Sequence, residues 1–135
     1  MDLQISIKFI SDILAAAARS YPNECCGLIE GVRGKNGWRA LALHETKNLA
    51  EDPRAHFLID PEIQFRLLRD LRGTGREIVG CFHSHPEGEP APSTTDLAGA
   101  AEEDFLWLIA GGKPQSLRAY CFRNKSFQPV QLIEI

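Results

Sequence analysis

The residues of this chain best suited to chemistry lie in one stretch, "HSHPEGEPAPSTTD", which runs from His83 to Asp96. His83 and His85 stand two apart at the end of a predicted strand, where period-2 geometry turns both imidazoles to the same face. Prolines stiffen the loop that follows. Asp96 returns on the first turn of the next predicted helix with a carboxylate to offer. Two histidines and one carboxylate are a familiar catalytic zinc set, because three protein ligands leave the fourth tetrahedral position for water. A metal ion in such an open site lowers the pKa of that water to about 7 and can polarise a carbonyl. The same ligands in another geometry suit iron. An ordinary helix cap would account for Ser93 and Asp96 taken alone, but it does not explain the His-x-His pair. Hydrolysis at a metal also needs a base. Glu24, in "YPNECCGLIEG", stands just before an apolar strand, where a carboxylate could be held at the edge of a buried site.

These residues need elements to position them. Ile7, Ile10, Ile13, Leu14 and Ala17 recur at helical spacing, which predicts an amphipathic helix from Lys8 to Ser20, ending before Pro22. "CCGLIEGV" and "WRALALHET", separated by "RGKNG", read as a hairpin. "AHFLID" reads as a short strand, and "PEIQFRLLRDLRGTG" as a second helix with Pro61 at its start. "EIVGCFHSH" is the strand that carries the histidines. "STTDLAGAAEED" reads as a helix capped by Ser93, and "FLWLIAGG", "LRAYCFR" and "QPVQLIEI" as three more strands. Strands and helices interleave without a repeat or linker. A single domain over 1–135 is expected, an α/β or α+β sandwich with a mixed sheet.

Composition narrows the classes of function. The chain has 135 residues, is 44% apolar and carries a formal net charge of -3, so it can bury its own core and lacks the bulk positive charge of a nucleic-acid surface. Lys8, Asp12 and Arg19 interrupt the apolar N-terminal run, which reads as neither a signal peptide nor a membrane span. A soluble cytoplasmic protein with no membrane partner is expected. Cys25 and Cys26 are adjacent, and the four cysteines form neither a CxxC pair nor a spaced secretory framework. They read as small buried hydrophobes, with Phe105 and Trp107 also in the core.

With these residues assembled, the sequence resembles the JAMM, or MPN-plus, metallopeptidase family. The family's pattern is a glutamate, a distant His-x-His, seven intervening residues, a serine and, three positions later, an aspartate. Here it reads Glu24, His83, His85, Ser93 and Asp96, with seven residues between His85 and Ser93. "NLAEDPRAHFLIDPE" and "IVGCFHSHP" resemble flanking segments of the family. The resemblance implies zinc bound by His83, His85 and Asp96, Glu24 as general acid/base, and Ser93 as stabiliser of the oxyanion. It also implies a cytidine-deaminase-like α/β/α sandwich with a mixed β-sheet. Deaminase chemistry itself is not expected, because the HxE and PCxxC elements of that zinc site are missing.

The chain is similar to compact prokaryotic members of the family that process ubiquitin-like sulfur-carrier proteins. Its length leaves little room for the insertions with which eukaryotic members grip ubiquitin. The resemblance therefore implies a zinc-dependent metallopeptidase or isopeptidase that hydrolyses the bond after the C-terminal Gly-Gly of such a carrier. The extended tail could add as a strand beside the site. Two other readings stay open. RadC-like, DNA-associated proteins carry a similar "HxHPxGxxxPSxxD" segment, although the acidic balance here offers no phosphate-binding footprint and no helix-hairpin-helix region is expected ahead of it. A non-catalytic module that binds zinc for stability would need a fourth protein ligand, for which His44, His56 and Cys81 come into question.

Overall fold

The computed structural model describes residues 1–112 and 115–135. Strand β1 (Asp2–Ile5) buries Leu3 and Ile5 completely. Helix α1 (Ile7–Ser20) begins where Ser6 Oγ accepts the Phe9 N–H at 3.0 Å, and it turns Ile13 and Ala16 into the core. Strands β2 (Cys26–Arg33) and β3 (Gly37–Thr46) form the expected hairpin, antiparallel from Cys26↔Thr46 to Arg33↔Trp38. In helix α2 (Pro61–Leu71), Asp60 caps the Glu62 N–H at 2.9 Å, and Pro61 sits in the first turn, where its missing N–H is not needed. There follow β4 (Glu77–His85), α3 (Thr94–Gly99), β5 (Phe105–Gly112), β6 (Gln115–Arg123) and β7 (Ser126–Glu134).

Three elements depart from the sequence reading. β1 has only four residues, too few to carry a periodic signal, and it was not expected. "AHFLID" is not a strand: its pairing is the single bridge Asn48↔Ile59, its His56 carbonyl and Leu58 N–H bond to the Asn48 side chain, and the Leu58 carbonyl accepts the Leu49 N–H. Helix α3 ends at Gly99 rather than running to Asp104, because Ala100 turns to extended backbone and donates its N–H to the Leu97 carbonyl.

The strands lie in the order β1-β3-β2-β4-β5-β6-β7 and close on themselves. β1 pairs in parallel with both β3 and β7, and β4 pairs in parallel with β5. The remaining pairs are antiparallel, so the fold is α/β with a mixed sheet. Closure curves that sheet into a barrel, where an open sandwich would leave two outer strands free. The apolar residues divide between its two faces. Ile29, Phe82, Leu106 and Leu108 join α1 in one cluster, whereas Leu28, Cys81, Trp107 and Phe122 join Leu67 of α2 in the other.

A bulge sets which face the histidines occupy. Ile29 pairs with Gly80 but Glu30 pairs with Ile78, so Val79 is skipped and the alternation of β4 shifts by one. From there Cys81 points to the α2 face, and His83 and His85 follow it at period 2. Gly27 faces Phe82 across the pair, and a Cβ there would lie 2.3 Å from the ring. Among the described residues, no helix is long and apolar enough to cross a membrane. Trp38, which the sequence left undetermined, is 6% exposed and belongs to the α1-side core.

Candidate metal centre

The five residues of the motif come from three places in the fold, and the sheet register brings them together. Cys26 pairs with His83, so Glu24, two residues earlier, leaves the start of β2 beside the end of β4. Two backbone donors hold that turn: the Glu24 N–H donates to the Pro53 carbonyl at 2.7 Å, and the Cys25 N–H donates to the side chain of Ser84, at Oγ, at 2.8 Å. Ser84 is the middle residue of the His-x-His pair. While its neighbours face the site, its hydroxyl anchors the strand that carries Glu24.

Asp96 arrives through a capping box. Ser93 Oγ accepts the Asp96 N–H at 3.0 Å, and Asp96 Oδ2 accepts the Ser93 N–H at 2.9 Å, so the first turn of α3 fixes the carboxylate. Its Oδ1 lies 3.2 Å from His83 Nε2 and its Oδ2 lies 3.2 Å from His85 Nε2. The two Nε2 atoms are 3.1 Å apart. Tetrahedral zinc with bonds of roughly 2.0–2.1 Å needs its ligand atoms about 3.3 Å from one another. The three separations fit that requirement with little movement. Glu24, His83 and His85 also offer ligand atoms that all lie within 4.8 Å of one another. The cluster thus combines two imidazoles and a carboxylate at metal-ligand spacing with a second carboxylate close by.

The two histidines are oriented differently. His85 Nδ1 lies 3.0 Å from the Glu89 carbonyl, which accepts its proton and leaves Nε2 free to face the cluster. His83 Nδ1 is buried without a hydrogen-bond partner among the described residues. Stacking sets that ring: Phe57 lies over it at 4.3 Å between centroids and 18° between planes, and Trp107 meets it edge-on at 5.8 Å.

Burial governs the charges. His83 is fully buried, and this pushes its pKa below the ordinary value despite the neighbouring Asp96. Burial also pulls His85 down, but its bonds to Asp96 and to the Glu89 carbonyl outweigh that and raise it. For Asp96, burial would raise the pKa, yet hydrogen bonds from His83 and His85 hold it well below the usual carboxylate range. Glu24, only 5% exposed, is pushed up by burial to about 7, with His85 opposing and Asp96 and Asp52 reinforcing the shift. One carboxylate is therefore kept ionised while the other is poised near neutrality, which is the separation expected of a ligand and a proton carrier.

The residues considered as a fourth ligand lie elsewhere. His44 Nε2 is 2.9 Å from Glu30 Oε1, and His56 is exposed. Cys81 is buried on the same face as the histidines but is outside the metal-spaced group. Burial raises the Cys81 thiol pKa and lifts that of Cys25 to about 11, so neither is a thiolate near neutral pH. Sequence reasoning missed Asn48, Phe57 and Ser84 as residues of the site: all three lie in segments that resemble the family's flanking text, but none belongs to the five-residue motif, and Ser84 carries a signal only once its neighbours share a face.

A profile of prokaryotic homologs of the JAB domain matches residues 6–123. A desampylase of Haloferax volcanii is 34% identical over 100 residues, covering 74% of this chain and 70% of that protein. A CysO-cysteine peptidase of Mycobacterium tuberculosis is 26% identical over 137 aligned positions, covering 98% of this chain and 92% of the other. Among solved structures, protein DSY2949 from Desulfitobacterium hafniense superposes with a TM-score of 0.86 at 26% identity, over 98% of this chain and 92% of that one.

Proposed function

The chain belongs to the family of prokaryotic homologs of the JAB domain, and from that premise we propose that it is a zinc-dependent metallopeptidase acting on the bond that follows the C-terminal Gly-Gly of a small ubiquitin-like or sulfur-carrier protein. Members named desampylase and CysO-cysteine peptidase support the hydrolase class and a protein substrate. The observation that carries the reading is the convergence of His83, His85 and Asp96 at 3.1–3.2 Å with the buried Glu24 beside them. Helix α1 on one face of the mixed sheet and α2 on the other support the cytidine-deaminase-like α/β/α layering. Four free, buried cysteines support a reducing, cytoplasmic setting.

His83, His85 and Asp96 would hold zinc. Bound there, the ion would act as a Lewis acid toward the scissile carbonyl and lower the pKa of water. The remaining steps belong to the chain. Glu24 takes a proton from the attacking water and returns it to the departing nitrogen, a double role that suits a carboxyl with a pKa near neutrality. Ser93 spends its oxygen on the Asp96 N–H but keeps its own proton, which it can donate to the carbonyl oxygen as negative charge develops. Phe57 and Trp107 keep water from the inner side of His83. β1 covers β3 only at Gly37, Trp38 and Arg39, so the rest of β3, which runs to Thr46 opposite Cys26, has a strand neighbour on one side only, and an extended tail could add there beside the cluster.

The test is metal content and cleavage of a Gly-Gly-tailed carrier, with wild type compared against Glu24→Ala and His85→Ala. One equivalent of zinc in wild type and Glu24→Ala, none in His85→Ala, and cleavage by wild type alone is the expected result. Full zinc occupancy without cleavage of any carrier would overturn the peptidase reading.

A further inference from the structure

The proposed chemistry leaves unused a cavity of about 420 Å³ that opens beside the cluster. Leu28, Phe105 and Trp107 on the α2 face of the sheet line it, Phe57 forms one side, and Asp96 and Gly99 of α3 form the other. It therefore begins at a proposed metal ligand and extends over aromatic and aliphatic side chains. Aromatic and aliphatic walls with a few polar groups, here His56 and Gln64 on one side and Thr95 and Asp96 on the other, are the make-up of a ligand pocket. We propose that this cavity is a specificity pocket for one bulky apolar side chain, carried by the substrate's tail immediately upstream of Gly-Gly.

The inference rests on the peptidase reading and follows from what a diglycine tail lacks. Its last two residues have no side chains, so nothing within two positions upstream of the cut can fill a space of this size. At roughly 3.3 Å per extended residue, the next side chain lies on the order of 10 Å from the scissile bond, and the cavity, which starts at Asp96, extends away from the cluster to Phe105 and Leu58. The residue on the far side of the cut is a poorer occupant where it is a lysine. Asp96 is the one carboxylate in the lining, and His83 and His85 already engage it, so a lysine ammonium would be buried without a free counter-charge. A leucine- or phenylalanine-sized side chain needs no such partner.

Gly99 allows a test that leaves the catalytic residues untouched. Gly99 lines the cavity and a Cβ there meets nothing within 4 Å, so Gly99→Leu adds bulk at the cavity wall without a clash. Zinc-loaded wild type and Gly99→Leu are assayed on three carriers that differ only in the residue before Gly-Gly: leucine, alanine or aspartate. Wild type is expected to cut the leucine carrier with a kcat/KM on the order of 10–100-fold above the alanine one, with aspartate lowest. Gly99→Leu is expected to abolish that preference, so that the leucine carrier is cut no faster than the alanine one. Binding is read separately on the metal-free chain from Trp107 fluorescence, since Trp38 lies in the core on the opposite face. A leucine-tailed peptide should shift that fluorescence at concentrations at which the alanine peptide does not. Equal cleavage of the three carriers, a preference that follows the residue after the cut, or a leucine preference surviving in Gly99→Leu would each overturn the pocket. Should no carrier be cut, the peptidase reading fails by itself, and the fluorescence titration still decides: equal binding of the two peptides overturns the pocket.

Discussion

A carboxyl that exchanges protons near neutral pH has to be kept out of water, and in Glu24 this sets a condition on the stability of the metal-free fold. Its pKa stands at about 7 when folded, against 4.5 as the ordinary value. Below pH 4.5 both folded and unfolded chains hold the proton and nothing is lost. Between there and pH 7 the unfolded chain gives it up first, so stability falls as pH rises, by on the order of 3 kcal/mol. Glu24→Gln removes that dependence. Metal-free Glu24→Gln should melt several degrees above metal-free wild type at pH 7.5 and at nearly the same temperature at pH 4.5, which calorimetry at the two pH values would detect. A pH-independent gap would mean that the amide packs differently from the acid. Bound zinc favours the ionised carboxylate and should narrow the difference. Ser93 caps α3 and is proposed to stabilise the oxyanion, and Ser93→Ala should show both: a lower melting temperature from a lost cap of about 0.5–2 kcal/mol, and a fall in kcat of about 10²–10³ with zinc retained. Full activity in that variant would leave Ser93 as a cap alone. The spacing of these residues was legible in the chain because the motif is local from His83 to Asp96. That Glu24 is buried was not, since it depends on the pairing of Cys26 with His83 across 57 positions of sequence.

Between β3 and α2 the chain has little regular structure, yet it supplies the Phe57 ring stacked on His83 and the Pro53 carbonyl that holds Glu24. Asn48 organises this segment. Its amide donates to the carbonyls of Glu24 at 3.1 Å and His56 at 2.9 Å, while its oxygen accepts the N–H groups of Ala50 and Leu58, each at 3.0 Å. That side chain, with the backbone bonds from Leu49 to Leu58 and from Ala55 and His56 to Asp52, stands in for the ladder that a strand at "AHFLID" would have made. The sequence reading erred there because alternating apolar residues describe a half-buried extended segment equally well whether a strand or a side chain satisfies its backbone. Asn48→Ala leaves several of those groups without partners, and a loss of about 1–3 kcal/mol is expected. Amide hydrogen exchange should locate it: Ala50 and Leu58 should exchange faster in the variant while the amides of β5 keep their protection. A uniform increase across the chain would show that Asn48 supports the whole fold rather than this segment. Helices α1 and α2 and the interior strands, by contrast, were legible because apolar spacing and apolar runs mark them within their own residues, as Ile10, Ile13 and Ala17 do in α1 and Pro61 does at the start of α2.

The molecule as a whole is closed by its shortest strand. β1 contributes four residues, but it bonds β3 through Asp2, Leu3 and Gln4 and bonds β7 through all four, joining the two ends of the sheet. Nothing local announces this, because its partners are tens of residues away on one side and near the opposite end of the chain on the other. Leu3 and Ile5 are fully buried in the α1-side cluster, whereas the metal cluster and the cavity lie on the α2 side. The two faces share the backbone of β4 and β5 but are packed separately, so closure and catalysis should be separable. Leu3→Ala tests this. A buried leucine truncated to alanine loses about 2–5 kcal/mol, which for a chain of this size lowers the melting temperature by roughly 5–20 °C. At 25 °C, where the variant is still folded, zinc stoichiometry and kcat/KM should match wild type, since Leu3 lies in the α1-side cluster while His83 and its stacking partners Phe57 and Trp107 lie on the α2 side. If Leu3→Ala instead loses zinc while its circular dichroism remains native, the strand that closes the barrel also sets the spacing of His83 and His85, and the two faces would have to be treated as one mechanical unit.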